Sequence, residues 1–317
     1  MKAPPPRGRL VSLGTHRLHL LCSGTGTPAV VFDAALGGSS LSWTYVQPAV
    51  AEFTTACAYD RAGFGWSDAG PMPRTAGRIA AELHTLLTAA NVQPPYVLVG
   101  HSFGGLSIRA YATSHPEDVA GLVLVDPAHP EDWREPSDAD RERLQRGAAL
   151  CRRGAVAARF GIASLVARLA SAGALDLARG IAAAVGRRTL HRRDEQILAP
   201  MTRLPMDVRA ALRWMWTQPR YFEALGSQIE HICTSASDIE LRPDYGSLPL
   251  ITISATEITA DRRRLQDAFA GRSSRGRHVV ATNSGHWIPI DEPQTVVDAI
   301  RDIVLAVRAS ETARQTL

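Results

Sequence analysis

Short, unbroken apolar runs alternate with longer amphipathic stretches along the first half of the chain. Leu10 to Leu13 and Leu18 to Cys22 predict two strands of a hairpin that turns at Gly14-Thr15. Ala29 to Asp33 predicts a buried strand, Trp43 to Phe53 a helix, and Thr54 to Asp60 a further strand. Arg74 to Ala90 carries Ile79, Leu83, Leu86 and Leu87 at the spacing of an amphipathic helix. Tyr96 to Gly100 and Ala120 to Asp126 are again continuous apolar runs, with the helix-compatible segment Leu106 to Thr113 between them. Strands that lack polar alternation and are separated by helices imply a parallel sheet covered on both faces. The expected fold class is therefore α/β, a doubly wound, mostly parallel sheet with its sites at the carboxyl ends of the strands.

From about Glu131 to Tyr245 the pattern changes. Strand-like runs vanish, and Ala, Leu and Arg recur at helical spacing, as in Leu144, Ala148 and Cys151, then Val156 and Phe160, then Leu165 and Leu169. Leu248 to Ala255 and Arg277 to Thr282 then restore two strands, and Pro293 to Val307 predicts a closing helix. The chain thus divides into a core of residues 1–130 and 246–317 and a helical cap of residues 131–245. The aromatic clusters Trp214-Met215-Trp216 and Tyr221-Phe222 suit packing of that cap onto the core over a site. Arg187-Arg188 and Arg192-Arg193 read as a solvated helix face.

Composition narrows the class without choosing a chemistry. With 317 residues, 45% of them hydrophobic and 21% charged, the chain has the make-up of a globular α/β protein with an insertion. A net charge of only +4, with no basic stripe interleaved with aromatics, argues against nucleic-acid binding. Cys22, Cys57, Cys151 and Cys233 are scattered with no Cys-x-x-Cys pair, which argues against a disulfide framework or a structural zinc. Cys22 and Cys57 sit in apolar strand runs and are expected to be buried free thiols. No run of eighteen apolar residues predicts a membrane span. The opening Met1-Lys2-Ala3-Pro4-Pro5-Pro6-Arg7 lacks the apolar region of a secretory signal, so the expected location is cytoplasmic.

The chemistry enters at Gly100-His101-Ser102-Phe103-Gly104, where an apolar strand ends and a helix begins. A serine on so sharp a turn is forced outward, and the helix N-terminus beneath it offers N–H groups to a developing negative charge. Glycines two residues to either side are expected because a Cβ there would collide with the neighbouring strand or helix. A serine hydroxyl is a poor nucleophile at neutral pH, so it requires a base, a group to orient that base, and an oxyanion site. Among ten histidines, His286 in Asn283-Ser284-Gly285-His286-Trp287 follows the final apolar strand, where a loop returns to the sheet's carboxyl edge. His101 must point away from its serine neighbour, His278 begins a strand, His84 lies on a helix, and His16 and His19 belong to the N-terminal hairpin. The oxyanion donors are expected to be the N–H of Phe103 and, from the small-residue loop Ala34-Ala35-Leu36-Gly37-Gly38-Ser39-Ser40, the N–H of Leu36.

These pieces carry a family resemblance. Val30 to Gly38, Tyr59-Asp60-Arg61-Ala62-Gly63-Phe64-Gly65-Trp66-Ser67, Gly100 to Gly105 and Gly285-His286-Trp287, in that order, resemble the α/β-hydrolase superfamily over nearly the whole chain. The resemblance implies a Ser–acid–His triad, a cap after the sixth strand and no cofactor or metal. It also marks the Asp60-Arg61 loop as structural rather than catalytic. The acid departs from the common pattern: the usual position just after the seventh strand holds Ile258, which cannot orient an imidazole. Asp126, at the end of the sixth strand and followed by Pro127, is the preferred acid, ahead of Glu257 and then Asp261.

The expected function is hydrolysis of carboxylic esters of small to medium apolar substrates through an acyl-enzyme, with Ser102, His286 and Asp126 as triad. Rivals within the fold are lactonase, amidase, carbon–carbon hydrolase, perhydrolase and acyltransferase chemistry. Dehalogenase and epoxide hydrolase chemistry is disfavoured because its nucleophile is a carboxylate. A ligand-binding member without catalysis is the rival from another class. Neither the physiological substrate nor the oligomeric state is written in the sequence.

Overall fold

The computed structural model describes residues 3–171, 202–239 and 244–315. Within them, β1 (Arg9–Ser12), β2 (Arg17–Ser23), β3 (Ala29–Asp33), β4 (Ala56–Tyr59), β5 (Tyr96–His101), β6 (Val119–Val125), β7 (Leu250–Ser254) and β8 (Gly276–Val280) form one sheet in the order β1-β2-β4-β3-β5-β6-β7-β8. β1 and β2 pair antiparallel, as do β2 and β4, and every other pairing is parallel. Every residue of β3, β4 and β5 is buried, as the unbroken apolar runs require when both faces are covered.

Alternate residues of each strand feed two separate cores. Val31, Leu98 and Leu122 face the helices Ala76–Ala89 and Gly104–Ser114, meeting Ile79, Leu83, Leu106 and Tyr111. Val30, Val97, Val99 and Val123 face the other way, toward Trp43, Val50 and the Ile300, Ile303 and Val304 stripe of the helix Pro293–Gln315. Each such fully buried aliphatic side chain contributes roughly 1.5–3 kcal/mol of transfer free energy.

Two expectations are corrected. In place of one helix over Trp43–Phe53, the chain makes a 3₁₀ turn at Ser40–Trp43 and a five-residue helix at Gln47–Ala51. Pro48 is the cause: it has no N–H to continue an earlier helix, but its fixed φ suits a first turn. Cys22 and Cys57 are not free thiols. They face each other in the antiparallel β2–β4 register and form a disulfide, while Cys151 and Cys233 are free. The bridge closes a loop of sequence separation 35, so its loss frees the unfolded chain and costs about 3–4 kcal/mol in the chain-entropy model. Urea unfolding of the Cys22→Ala/Cys57→Ala variant is expected to show that loss. A reductant should lower the wild-type midpoint similarly and leave the variant's unchanged.

Between β6 and β7 lie the helices Glu131–Arg134, Asp138–Arg159, Ile162–Ser171, Met206–Met215, Pro219–Glu230 and Ile232–Ser237. Asp138–Arg159 begins at Ser137, whose Oγ accepts from the N–H of Asp140 at 3.2 Å. It packs on Pro219–Glu230 so closely that a Cβ at Gly154 would lie 2.5 Å from the Phe222 ring. Trp214, Met215 and Tyr221 are buried against Leu41 and Phe64 of the core side. The Arg187-Arg188 and Arg192-Arg193 pairs lie outside the described residues. Among the described residues, no helix is long and apolar enough to cross a membrane.

Candidate active site

Ser102 stands between β5 and the helix Gly104–Ser114 with φ of +53°, a left-handed conformation that L-residues other than Gly, Asn and Asp seldom adopt. Its neighbours hold it there. The N–H of Ser102 donates to Val125 O at 3.0 Å, and its carbonyl accepts from the N–H groups of Gly105 and Ala128 at 2.9 and 3.0 Å. The flanking glycines are sterically required: a Cβ on Gly100 would lie 2.6 Å from Gly104 O, and one on Gly104 2.4 Å from Asp33 O. Replacing Ser102 by Gly removes the left-handed strain, so Ser102→Gly is expected to raise stability by about 1 kcal/mol. A thermal unfolding scan checks this, and a fall in midpoint would show the turn to be relaxed.

The tight fit at Gly104 also brings the loop after β3 against the start of this helix. Phe103 is the helix N-cap, so its N–H is among those that no helical carbonyl reaches. On the facing loop, Gly37 has φ of +70° and the N–H of Gly38 closes a turn on Ala35 O at 2.9 Å. Leu36, at the tip of that turn, is partly buried. The two backbone segments expected to supply oxyanion donors are thus neighbours.

His286 follows β8, and its Nδ1 lies 2.6 Å from Oδ2 of Asp126. With Nδ1–H donating to the carboxylate, Nε2 is left as the proton acceptor of the ring. Asp126 is the first residue after β6 and also takes a positive φ, +37°. Its N–H donates to Ile253 O at 2.6 Å. Burial pushes the Asp126 carboxyl up, but the hydrogen bond from His286 and the nearby His286, His101 and Arg262 outweigh it and leave it below the ordinary carboxylate value. The other acid candidates are placed elsewhere: Glu257 is exposed, and Asp261 is paired with Arg264.

His101 packs against the rings of Trp43, His286 and Trp287. Its Nε2–H donates to the carbonyl oxygen of His286 at 2.7 Å. Burial, helped by the neighbouring His286, pushes its imidazole down to about 3, so it is neutral across the working range. The remaining candidates are structural in setting. His278 bridges Asp267 at 2.6 Å and Ser254 at 2.8 Å, and His84 faces Tyr111 at 3.3 Å. His19 is wholly buried, with Nδ1 at 2.9 Å from Asp60 Oδ2.

The Asp60-Arg61 loop proves to be the scaffold of the glycine-rich loop. Asp60 accepts from the N–H groups of Ser40 at 2.7 Å and Trp66 at 3.0 Å. Arg61 is buried, pairs with Asp33 at 3.0 Å, and donates to the carbonyls of Ala34 and Ala35. Burial raises the Asp33 carboxyl, with the Arg61 charge opposing. The apolar pattern of β3 does not predict this buried ion pair. A carboxylate ending a strand that is otherwise wholly apolar was the one signal that could have found it, since such a charge must have a partner.

The helix Pro219–Glu230 packs over the same loop. A Cβ on Gly37 would lie 3.0 Å from the Tyr221 hydroxyl, and one on Gly63 would lie 2.4 Å from Cβ of Ala224. Trp287, next to His286, belongs with Trp66, Leu225 and Tyr221 to one apolar layer beneath the helix Pro219–Glu230.

A left-handed serine turn, an imidazole on a carboxylate, and a β3 loop braced by Arg61 make the family comparison direct. A family model described as the alpha/beta hydrolase fold matches residues 28–293. The uncharacterized protein YqjL of Bacillus subtilis is 38% identical over 105 residues, covering 33% of this chain and 42% of that protein. The chain thus spans less than half the length of this curated relative. Among solved structures, an esterase from Thermogutta terrifontis superposes with a TM-score of 0.63 at 19% identity, covering 92% of this chain and 94% of the other. An epoxide hydrolase, CorEH, gives 0.65 at 17% identity, covering 94% and 98%. At those identities the two structures speak to fold alone. The chain belongs to the α/β-hydrolase fold family.

Proposed function

We propose that this member of a hydrolase superfamily is a serine carboxylic-ester hydrolase. The observation that carries the reading is the 2.6 Å contact between His286 Nδ1 and Asp126, made by the loops after β8 and β6 at the carboxyl edge that also presents Ser102. In the proposed cycle, Nε2 of His286 takes the hydroxyl proton as Ser102 Oγ bonds to the ester carbonyl carbon. The N–H groups of Leu36 and Phe103 donate to the resulting oxyanion. Collapse breaks the bond to the alcohol, which leaves with the proton returned by His286, and an acyl-serine remains. Water then attacks that acyl group with His286 again as base, and the carboxylic acid departs. Asp126 stays ionised throughout and stabilises the imidazolium. The scheme uses no cofactor or metal.

Residues 131–245 serve in this reading as a cap, and the apolar layer of Leu41, Phe64, Tyr221, Leu225 and Trp287 supports small to medium apolar acyl or alcohol groups. A fluorophosphonate probe tests the nucleophile and a panel of p-nitrophenyl esters, lactones, amides and thioesters tests the bond. The expected result is one covalent adduct, on Ser102, and fastest turnover of short acyl esters. No labelling would point to a binding protein, and faster cleavage of a lactone or amide than of any ester would replace the ester assignment.

A further inference from the structure

The segment after β7, where the resemblance places the usual acid, carries Ile258 and then a helix, Ala260–Ala270. In this chain that helix delivers a cation to the acid's loop instead. Thr259 caps it, its Oγ1 accepting from the N–H of Arg262 at 3.2 Å. From there Arg262 reaches across to the chain that leaves β6. Its Nη2 donates to the carbonyl of Pro127, the residue after Asp126, at 2.9 Å, and its Nη1 pairs with Asp132. We propose that Arg262 is a positioning residue, whose two-pronged grip on the loop after β6 holds Asp126 in register with His286. The inference rests on the reading of Asp126 as the triad acid.

The need for such a grip follows from the backbone. Asp126 has φ of +37° and must leave the strand at once. Its N–H is fixed to Ile253, and Ala128 donates to the carbonyl of Ser102. Between those anchors the carbonyl of Pro127 is held by Arg262. A guanidinium can satisfy that carbonyl and a carboxylate together because its donors diverge in a rigid fork. The groups around the acid carboxylate are His286, His101 and Arg262, so Arg262 is the permanent cation among them. At 29% side-chain exposure it can be replaced without opening the core. A second pair nearby, Arg272 with Glu131 at 2.9 Å, ties the same segment, at Glu131 and not at Pro127, to the chain just after that helix, which makes it a matched control.

The test reads the His286–Asp126 bond directly. In ¹⁵N-labelled protein the Nδ1–H of His286 should give a far-downfield proton signal, lost in Asp126→Asn. Arg262→Met is expected to broaden or shift that signal upfield and to slow fluorophosphonate labelling of Ser102 roughly 10-fold to 100-fold, the scale of a misplaced catalytic group. Arg262→Lys should recover part of both, and Arg272→Met should leave both at wild-type levels. An unchanged signal in Arg262→Met, or an equal loss in Arg272→Met, overturns the proposal. If the wild type shows the signal and loses it in Arg262→Met yet hydrolyses nothing in the panel, Arg262 keeps its role and the hydrolase reading fails.

Discussion

Ser102→Ala is expected to reduce ester turnover by roughly 10⁴-fold to 10⁶-fold, the range seen when a triad nucleophile is deleted and only the oxyanion site and binding remain. The protein should stay folded, because alanine keeps the Cβ and loses a hydroxyl that the fold does not use. The backbone bonds of residue 102, to Val125, Gly105 and Ala128, involve no side-chain atom. Release of p-nitrophenol, followed in excess enzyme so that a single turnover is seen, is the measurement. Covalent labelling should vanish in the same variant. Residual activity within tenfold of wild type would move the nucleophile elsewhere.

The second large effect belongs to the proposed acid. Asp126→Asn should lower kcat about 10⁴-fold with little change in KM, because an amide can donate to Nδ1 and so select the wrong imidazole tautomer. The substitution is clean for a backbone reason: φ of +37° is tolerated by Asn about as well as by Asp. Asp126→Ala would add backbone strain to the electrostatic loss and confuse the two. Glu257→Gln and Asp261→Asn are the controls, and each should leave kcat within twofold. If Glu257→Gln instead reproduces the loss, the loop after β7 supplies the acid in the working enzyme.

The strands at the centre of the sheet could be read from the chain because burial on both faces leaves an unbroken apolar run, as in Val30-Val31-Phe32 and Val97-Leu98-Val99. Ser102 and Asp126 could be picked out as candidates for a related reason: each stands at the carboxyl end of such a run, where a parallel sheet collects its loops. His286 follows the partly exposed last strand, Gly276–Val280, and was found by its place after that strand in the chain. The disulfide was not legible. Cys22 and Cys57 meet only because β2 runs antiparallel to β4 in one register, and a pattern of buried residues carries no information on that pairing. The roles of Arg61 and Arg262 were hidden likewise. An arginine reads as a surface residue until the carbonyls it must serve, Ala34 and Ala35 for one and Pro127 for the other, are seen to converge on it. Pro48 starts the short helix Gln47–Ala51 instead of lying inside a longer one.

The seam at Gly37 and Gly63 sets terms for any exchange of the upper lobe. The helix Pro219–Glu230 rests there on two hydrogen atoms where other residues would carry carbons, with the Ala224 methyl and the Tyr221 hydroxyl as the opposing surfaces. A transplanted lobe would leave the proposed site undisturbed only if it presented an equally small group above residue 63. A bulkier one would lift the roof from the loop that bears Leu36, and selectivity and rate would then change together.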